Sequence, residues 1–249
     1  MAHPVVPRDL QPLGLWRHFP ARPCLLCGLR SVSGGLCELC RQALDPSWVS
    51  CRCPRCALAL PALSVLACPD CGSGRWAAFR VVAAFDYEHP GDMLIHGLKI
   101  SHQLETVSVL AELMVRQWRR YGLALDGEAW VLCVPSRPAA LRRRGFNPGA
   151  LLARRVARLL GLRARTSLVY WLRPQGRSQK QLGRHARRSA MKDAFGLRHG
   201  LGDRTVLLVD DVLTTGSTLN ALAQTCLDAG AASVHALVAA RAPWKPTRI

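Results

Sequence analysis

The segment Val206-Leu-Leu-Val-Asp-Asp-Val-Leu-Thr-Thr-Gly-Ser-Thr-Leu219 constrains the fold more than any other stretch of the chain. An uninterrupted apolar run ends in two acids, Asp210 and Asp211; hydroxyl residues and Gly216 follow, and helical spacing then runs from Ser217 to Ala229 before Gly230. An apolar run without polar alternation reads as a strand covered on both faces, the habit of a parallel sheet between helices. A strand–turn–helix of this kind sets its turn at the carboxyl edge of the sheet, where such folds bind ligands. Backbone N–H groups at the helix start, joined by the hydroxyls of Thr214, Thr215, Ser217 and Thr218, predict a cradle for a monophosphate. It is not a P-loop, because no Gly-Lys-Ser/Thr occurs there. Asp210 and Asp211 suit the hydroxyls of a diol such as ribose. The plainer alternative is a helix merely capped by Ser217 or Thr218, but a cap does not require two acids, two threonines and a glycine in this order.

The surrounding pattern agrees with a parallel sheet. Strands are expected at 79–87, 129–135, 167–172, 205–211 and 233–240. Helices are expected at Gly91–Ile100, at Glu105–Tyr121 with the stripe Val109, Leu110, Leu113 and Val115, at Pro148–Leu160 and at Ser217–Ala229. Arg173–Arg188 is basic, lacks a core stripe and reads as a loop running into a helix. Strands alternating with helices mean an α/β fold. Apolar residues at 49% and charged residues at 20% argue against a disordered chain. The longest apolar run, Ala57–Ala67, contains Pro61 and Ser64 and falls short of the roughly eighteen residues a membrane helix needs. The amino terminus lacks the pattern of a secretory signal, so a cytoplasmic protein is expected.

The first third follows a different logic. Of 11 cysteines, nine lie between Cys24 and Cys71, and eight of these form four C-x-x-C pairs: Cys24/Cys27, Cys37/Cys40, Cys53/Cys56 and Cys68/Cys71. Glycine follows Cys27 and Cys71, and proline sits inside CPRC and CPDC, as in knuckles that aim two thiolates at one ion. Four thiolates suit tetrahedral Zn2+, and a short segment poor in large apolar residues gains from a metal what burial alone does not supply. Two structural zinc ions are expected, one on Cys24, Cys27, Cys37 and Cys40, the other on Cys53, Cys56, Cys68 and Cys71. A disulfide framework is the rival, disfavoured without a secretion signal. Sequential pairing is the simpler choice, an interleaved cross-brace stays open, and Cys51 is a spare thiol or a substitute ligand. The division expected is a flexible leader at 1–20, a double zinc ribbon at 21–75 with its linker around Ser73–Ala78, and an α/β domain at 76–249 whose own core should hold without the ribbon.

Charge marks one side of the molecule. Lys and Arg number 34 against 16 Asp and Glu, and only Lys99, Lys180, Lys192 and Lys245 are lysines. No acid occurs from Ala129 to Lys192, a stretch with fourteen arginines. Arginine-rich character follows in part from base composition, but so long an acid-free run predicts a positive field suited to polyphosphate or nucleic acid. Arg142, Arg143 and Arg144 cannot all be buried, since unpaired buried charge is too costly, and they are candidates for nucleic-acid contact.

The Val206–Leu219 segment resembles the phosphoribosyl pyrophosphate (PRPP) signature of type I phosphoribosyltransferases. The stretch from Val134, VPSRPAALRRRGFNPGALLA, resembles the R-G-F-N region of the ComF/GntX family, as do Gln179-x-x-Leu182 with Arg187 and Ala194-Phe195, the LKI around Lys99 and the cysteine-rich front. The chain departs from that family's pattern at Ser136-Arg137, at Pro148 and at Ala190. The resemblance implies a type I phosphoribosyltransferase fold, a parallel sheet flanked by helices, preceded by a small double zinc ribbon. It implies the 5′-phosphate of PRPP on Thr214, Thr215, Gly216, Ser217 and Thr218, ribose on Asp210 and Asp211, and pyrophosphate on Ser136 and Arg137. Mg2+ would ride on the ligand's oxygens, and a mobile loop with Arg177, Gln179, Lys180 and Arg187 would close over the site. The implied reaction is pentosyl transfer with release of pyrophosphate, catalysed through Asp210, Asp211 and Arg137. His96 and His102 lie in the candidate hood, residues 86–104 together with the ribbon, and read as surface or core histidines rather than bases. The family's link to competence and DNA uptake implies single-stranded DNA and uptake proteins as partners. The competing reading is a zinc-ribbon DNA-binding module in which the PRPP site is regulatory or vestigial.

Overall fold

A computed structural model describes residues 22–31, 35–45, 51–60, 68, 71, 76–78, 80–172 and 194–243. Its centre is a five-stranded sheet of β3 (Arg80–Asp86), β4 (Trp130–Cys133), β5 (Arg163–Ala164), β8 (Thr205–Leu213) and β9 (Ser233–Arg241). The order is β3-β9-β8-β4-β5 and every pairing is parallel. Alternate residues serve opposite faces, as the pleat requires. Leu207, Val209, Val131, Cys133 and Leu237 pack with α2 (Gly91–Lys99), α3 (Thr106–Arg120) and α5 (Pro148–Leu160). Val206, Leu208, Trp130, Leu132, Ala236 and Val238 pack with Leu219, Leu222, Ala223 and Cys226 of α6 (Ser217–Asp228). The expected helices are present within a residue of each bound.

Several elements differ from expectation, the short strands β5 and β7 (Phe195–Leu197) among them. Helix α4 (Pro138–Arg144) buries no residue, so it has no apolar stripe to betray it; only Pro138 at its start and Gly145 (φ 77°) at its end mark it. Strand β8 continues past the acids to Leu213. The strand expected at 167–172 forms as β6 (Val169–Trp171), but outside the main sheet, pairing antiparallel with β7. Only four residues separate β5 from β6, and a parallel crossover needs about a dozen or more.

The cysteine-rich part begins with the antiparallel pair β1 (Arg22–Pro23) and β2 (Arg30–Ser31), followed by α1 (Glu38–Ala43). The two knuckles repeat one design. Cys24 N–H donates to Leu29 O (2.7 Å) and Cys53 N–H to Leu58 O (2.9 Å). The residue after each second cysteine takes a left-handed turn, Gly28 at φ 73° and Ala57 at φ 58°. The first set shares a buried cluster with the sheet domain, whereas Cys53, Cys56, Leu58 and Cys71 of the second form a small cluster of their own. Leu36 and Leu44 are buried in one cluster with Val109, Leu110 and Leu113 of α3, and the absent Cβ of Gly35 leaves room for Val109. Arg52 pairs with Asp86 through two bonds (3.0 and 2.6 Å), and Asp45 accepts from Arg120 (2.9 Å). Trp76, expected in the linker, packs against both the second knuckle and the α6 side of the sheet.

Candidate functional site

Strands β4 and β8 are neighbours, Cys133 at the end of β4 lying opposite Val209 while β8 runs on to Leu213, and each delivers a loop to the carboxyl edge of the sheet. The loop after β8 runs through Thr214 and Thr215 to Gly216, whose φ of 72° turns the chain into α6. Gly216 is the N-cap, and no side chain caps the helix. Neither Ser217 nor Thr218 serves as the cap; instead the Ser217 hydroxyl lies 3.0 Å from that of Thr215. The first N–H groups of a helix of 12 residues therefore face the turn without a capping side chain, the arrangement that favours an anion. A Cβ at Gly216 would run into the Trp76 ring, so glycine is required there twice over.

The loop after β4, Val134–Arg137, is held by its neighbours. Asn147 is the N-cap of α5: its Oδ1 accepts from Gly149 N–H (3.0 Å) and from the Ser136 hydroxyl (3.0 Å), and its Nδ2 donates to Val134 O (3.1 Å). Trp171 Nε1 donates to Pro135 O (3.0 Å), and the exposed Arg137 guanidinium lies 5.9 Å from the centre of the Trp171 ring. Asn147 and Trp171 were not singled out by sequence reasoning. The R-G-F-N resemblance contains Asn147 but gives it no role, and nothing local links Trp171 to Pro135.

Between the loops stand the acids. Asp211 is nearly buried and accepts from Lys99 Nζ, the last residue of α2, at 2.7 Å. The partners are 112 residues apart, and only the LKI resemblance hinted at the lysine. Burial and the charge of Asp211 push the Asp210 carboxyl up to about 8, against the pull of the Asp211 N–H (2.9 Å) and Lys99. Asp210 keeps partial contact with solvent, which moderates the size of the rise but not its direction. His102 is exposed, edge-on to Phe146 (5.5 Å), and His96 is exposed beside Leu25, Asp92 and Met93 around a cavity of about 320 Å³. Neither touches the acids in any bond found among the described residues. Arg142 and Arg143 are exposed in the last turn of α4 and Arg144 is half-buried. Arg177, Gln179, Lys180 and Arg187 lie outside the described residues.

The cysteines form two sequential sets. The sulfurs of Cys24, Cys27, Cys37 and Cys40 lie within 4.8 Å of one another, as do those of Cys53, Cys56, Cys68 and Cys71. The pairs Cys27–Cys37, Cys53–Cys71 and Cys56–Cys68 stand 3.6, 3.7 and 3.6 Å apart. A disulfide requires about 2.05 Å, whereas four sulfurs about 2.3 Å from a tetrahedral Zn2+ stand about 3.8 Å apart. All the cysteines are free thiols, Cys51 among them and outside both sets. Hydrogen bonds from Cys56 and Cys71 push the Cys53 thiol down, and its bond to Cys53 pushes Cys56 up to about 12. Burial opposes ionisation of Cys24, but backbone N–H groups of Cys27, Cys37 and Leu26 outweigh it and bring that thiol to about 6. Sulfurs packed this closely share negative charge poorly unless a cation joins them, so both sets fit structural zinc.

A five-stranded parallel sheet carrying an uncapped turn and paired acids on one strand, and a braced loop on the next, defines an α/β protein of the type I phosphoribosyltransferase class. The family called Phosphoribosyl transferase domain matches residues 141–248. The DNA utilization protein YhgH of Escherichia coli O157:H7 is 34% identical over 219 residues, 85% of this chain and 93% of its own. Competence protein F of Haemophilus influenzae is 28% identical over 229 residues, 88% of this chain and 96% of its own. A solved structure of the allosteric regulatory enzyme of purine biosynthesis aligns with 53% of this chain and 25% of its own, at 19% identity and a TM-score of 0.34. The chain belongs to the ComF/GntX family of phosphoribosyltransferase-like proteins with an N-terminal pair of four-cysteine clusters. Among the described residues no helix is long and apolar enough to cross a membrane.

Proposed function

We propose that the protein binds PRPP with Mg2+ at the carboxyl edge of β4 and β8 and transfers its phosphoribosyl group with release of pyrophosphate. The observation that carries this reading is the uncapped start of α6, with its left-handed Gly216, directly beyond Asp210 and Asp211. The 5′-phosphate occupies the α6 N–H groups with the hydroxyls of Thr214, Thr215, Ser217 and Thr218. Asp210 and Asp211 accept from the ribose hydroxyls, with Lys99 orienting Asp211. Pyrophosphate meets the backbone of Ser136 and the side chain of Arg137, on a loop that Asn147 and Trp171 keep from relaxing. Mg2+, held chiefly by oxygens of the ligand, would supply positive charge to the departing group. The chain's own contribution is positioning and stabilisation of the leaving charge, with no protein nucleophile. Residues 21–75 and 76–249 act as ribbon and transferase domains, and the setting is the cytoplasm, where thiols stay reduced.

Isothermal titration of PRPP with Mg2+ tests the reading: binding is expected in the wild type and lost in Asp210→Asn with Asp211→Asn. Undiminished binding by that double variant, or none by the wild type, removes it.

A second reading has its own support. The exposed Arg142 and Arg143 stand on a helix that buries nothing, and the relatives are named for DNA utilization and competence. We infer that single-stranded DNA binds this arginine face, alone or beside uptake proteins, with PRPP as a regulatory ligand. Product analysis separates the two readings: pyrophosphate with a ribosylated acceptor supports the transferase, and salt-sensitive DNA affinity without product supports the binding module.

A further inference from the structure

Arg241, the last residue of β9, is 1% exposed and joins two parts of the molecule that share no sequence neighbourhood. Its Nε donates to Cys56 O (2.8 Å), and its Nη2 lies 4.0 Å from Cys56 Sγ. Its Nη1 donates to Leu213 O (3.2 Å), to Thr214 O (2.8 Å) and to the Ala242 carbonyl. One edge of the guanidinium therefore holds a ligand residue of the second cysteine set. The other holds the two carbonyls at which β8 becomes the phosphate turn. Trp76 makes a parallel connection, since its ring packs against Cys53, Cys56 and Cys71 and covers Gly216.

Guanidinium stays protonated in a protein interior, so its donors must be satisfied wherever it is buried. Four thiolates around one Zn2+ leave a net negative charge. A guanidinium donating to the carbonyl and sulfur of one ligand residue both offsets that charge and orients the ligand. If the set opens, Cys56 no longer fixes the fork at Nε and Nη2, and its hold on Leu213 and Thr214 rests on Nη1 with one edge of the guanidinium less constrained. The phosphate turn then has a less sharply oriented donor at its entry, although no residue of the turn has changed.

We propose that Arg241 is a positioning residue through which the grip of the phosphate turn depends on the metal-holding state of Cys53, Cys56, Cys68 and Cys71. The inference rests on the PRPP reading above. It adds a coupling between two sites, which must be reciprocal: metal at the second set tightens PRPP, and PRPP tightens the second set. The first set, seated on α3 through Leu36 and Leu44, lies outside this coupling.

The test uses the full zinc-loaded chain and follows alkylation in the presence of a chelator, peptide by peptide. Cys68 reports the second set and Cys37 the first; both are half-buried, and Arg241 bonds neither. Saturating PRPP with Mg2+ should slow alkylation of Cys68 about tenfold, a typical coupling, and leave Cys37 unchanged. In Arg241→Lys, which keeps the charge but not the fork, the protection of Cys68 should vanish and PRPP affinity should fall by about the same factor. A variant with retained zinc, unchanged PRPP affinity and unchanged protection overturns the proposal. If the variant does not fold, the wild type decides alone: protection of Cys68 without Cys37 upholds the coupling, and equal protection of both, or of neither, overturns it. Absence of PRPP binding by the wild type brings down the PRPP reading and this inference with it; PRPP binding without selective protection of Cys68 brings down this inference only.

Discussion

Asp210, one of the two acids proposed to meet the ribose, shows how burial and a neighbouring charge set the protonation of a side chain. Its carboxyl is raised from 3.8 to about 8, first by burial and then by the charge of Asp211. Between those values the folded chain holds a proton that the unfolded chain has lost. Folding stability therefore falls as pH climbs through that window, and is free of this cost below it. Asp210→Asn removes the titrating group and should flatten the slope. After allowance for partial solvent contact, the variant is expected to be more stable than the wild type at pH 8 by on the order of 2 kcal/mol. It should nevertheless bind PRPP more weakly, the familiar opposition between stability and a prepared site. Urea unfolding at pH 5 and pH 8 checks this, and parallel pH slopes for the two proteins would remove Asp210 as the source. Lys99 works in the same small space, where its pairing with Asp211 at 2.7 Å orients that acid.

Helix α4 presents its arginines without committing any side chain to the core. Replacing Arg142 and Arg143 with alanine should therefore cost little stability. If single-stranded DNA runs along this helix, its affinity should fall and the slope of log affinity against log salt should drop by about 0.7 for each lost phosphate contact. PRPP affinity should hold if, as proposed, its phosphates rest on the α6 turn and the Ser136 loop; equal loss of both ligands would move the arginines into the PRPP site. The same helix shows why elements differ in how far they can be read in advance. β8, β9 and α3 were legible because burial marks their composition, as an apolar run in the strands and as a helical stripe in α3. α4 buries nothing, β5 spans two residues, and the partner of β6 is decided across a gap of more than twenty residues, so none of them leaves such a mark. The two loops of the site were legible as loops. Their bracing by Asn147, Trp171, Lys99 and Arg241 was not, because each brace is a long-range hydrogen bond between residues that are ordinary in their own neighbourhoods.

At the level of the whole molecule, the first cysteine set shares its buried apolar cluster with the sheet and α3. Opening the first set by Cys27→Ser should release Leu36 and Leu44 from α3, and burial of two leucines is worth about 3 to 6 kcal/mol. Hydrogen exchange across Thr106–Arg120 should therefore quicken in the variant; exchange unchanged in α3 would separate the two parts after all. The sheet order has a further consequence for how the chain is born. β9 comes last among the described strands yet lies between β3 and β8, so no sheet containing β3 closes until Ser233–Arg241 has been synthesised. Cys56 waits 185 residues for the guanidinium that braces it, about 10 to 40 s at the pace of a ribosome. During that interval the nascent thiols have only one another and whatever metal the cell supplies. If the early-made end captures its ion before the late-made end exists, zinc supply at translation should set how many chains arrive with a seat ready for Arg241.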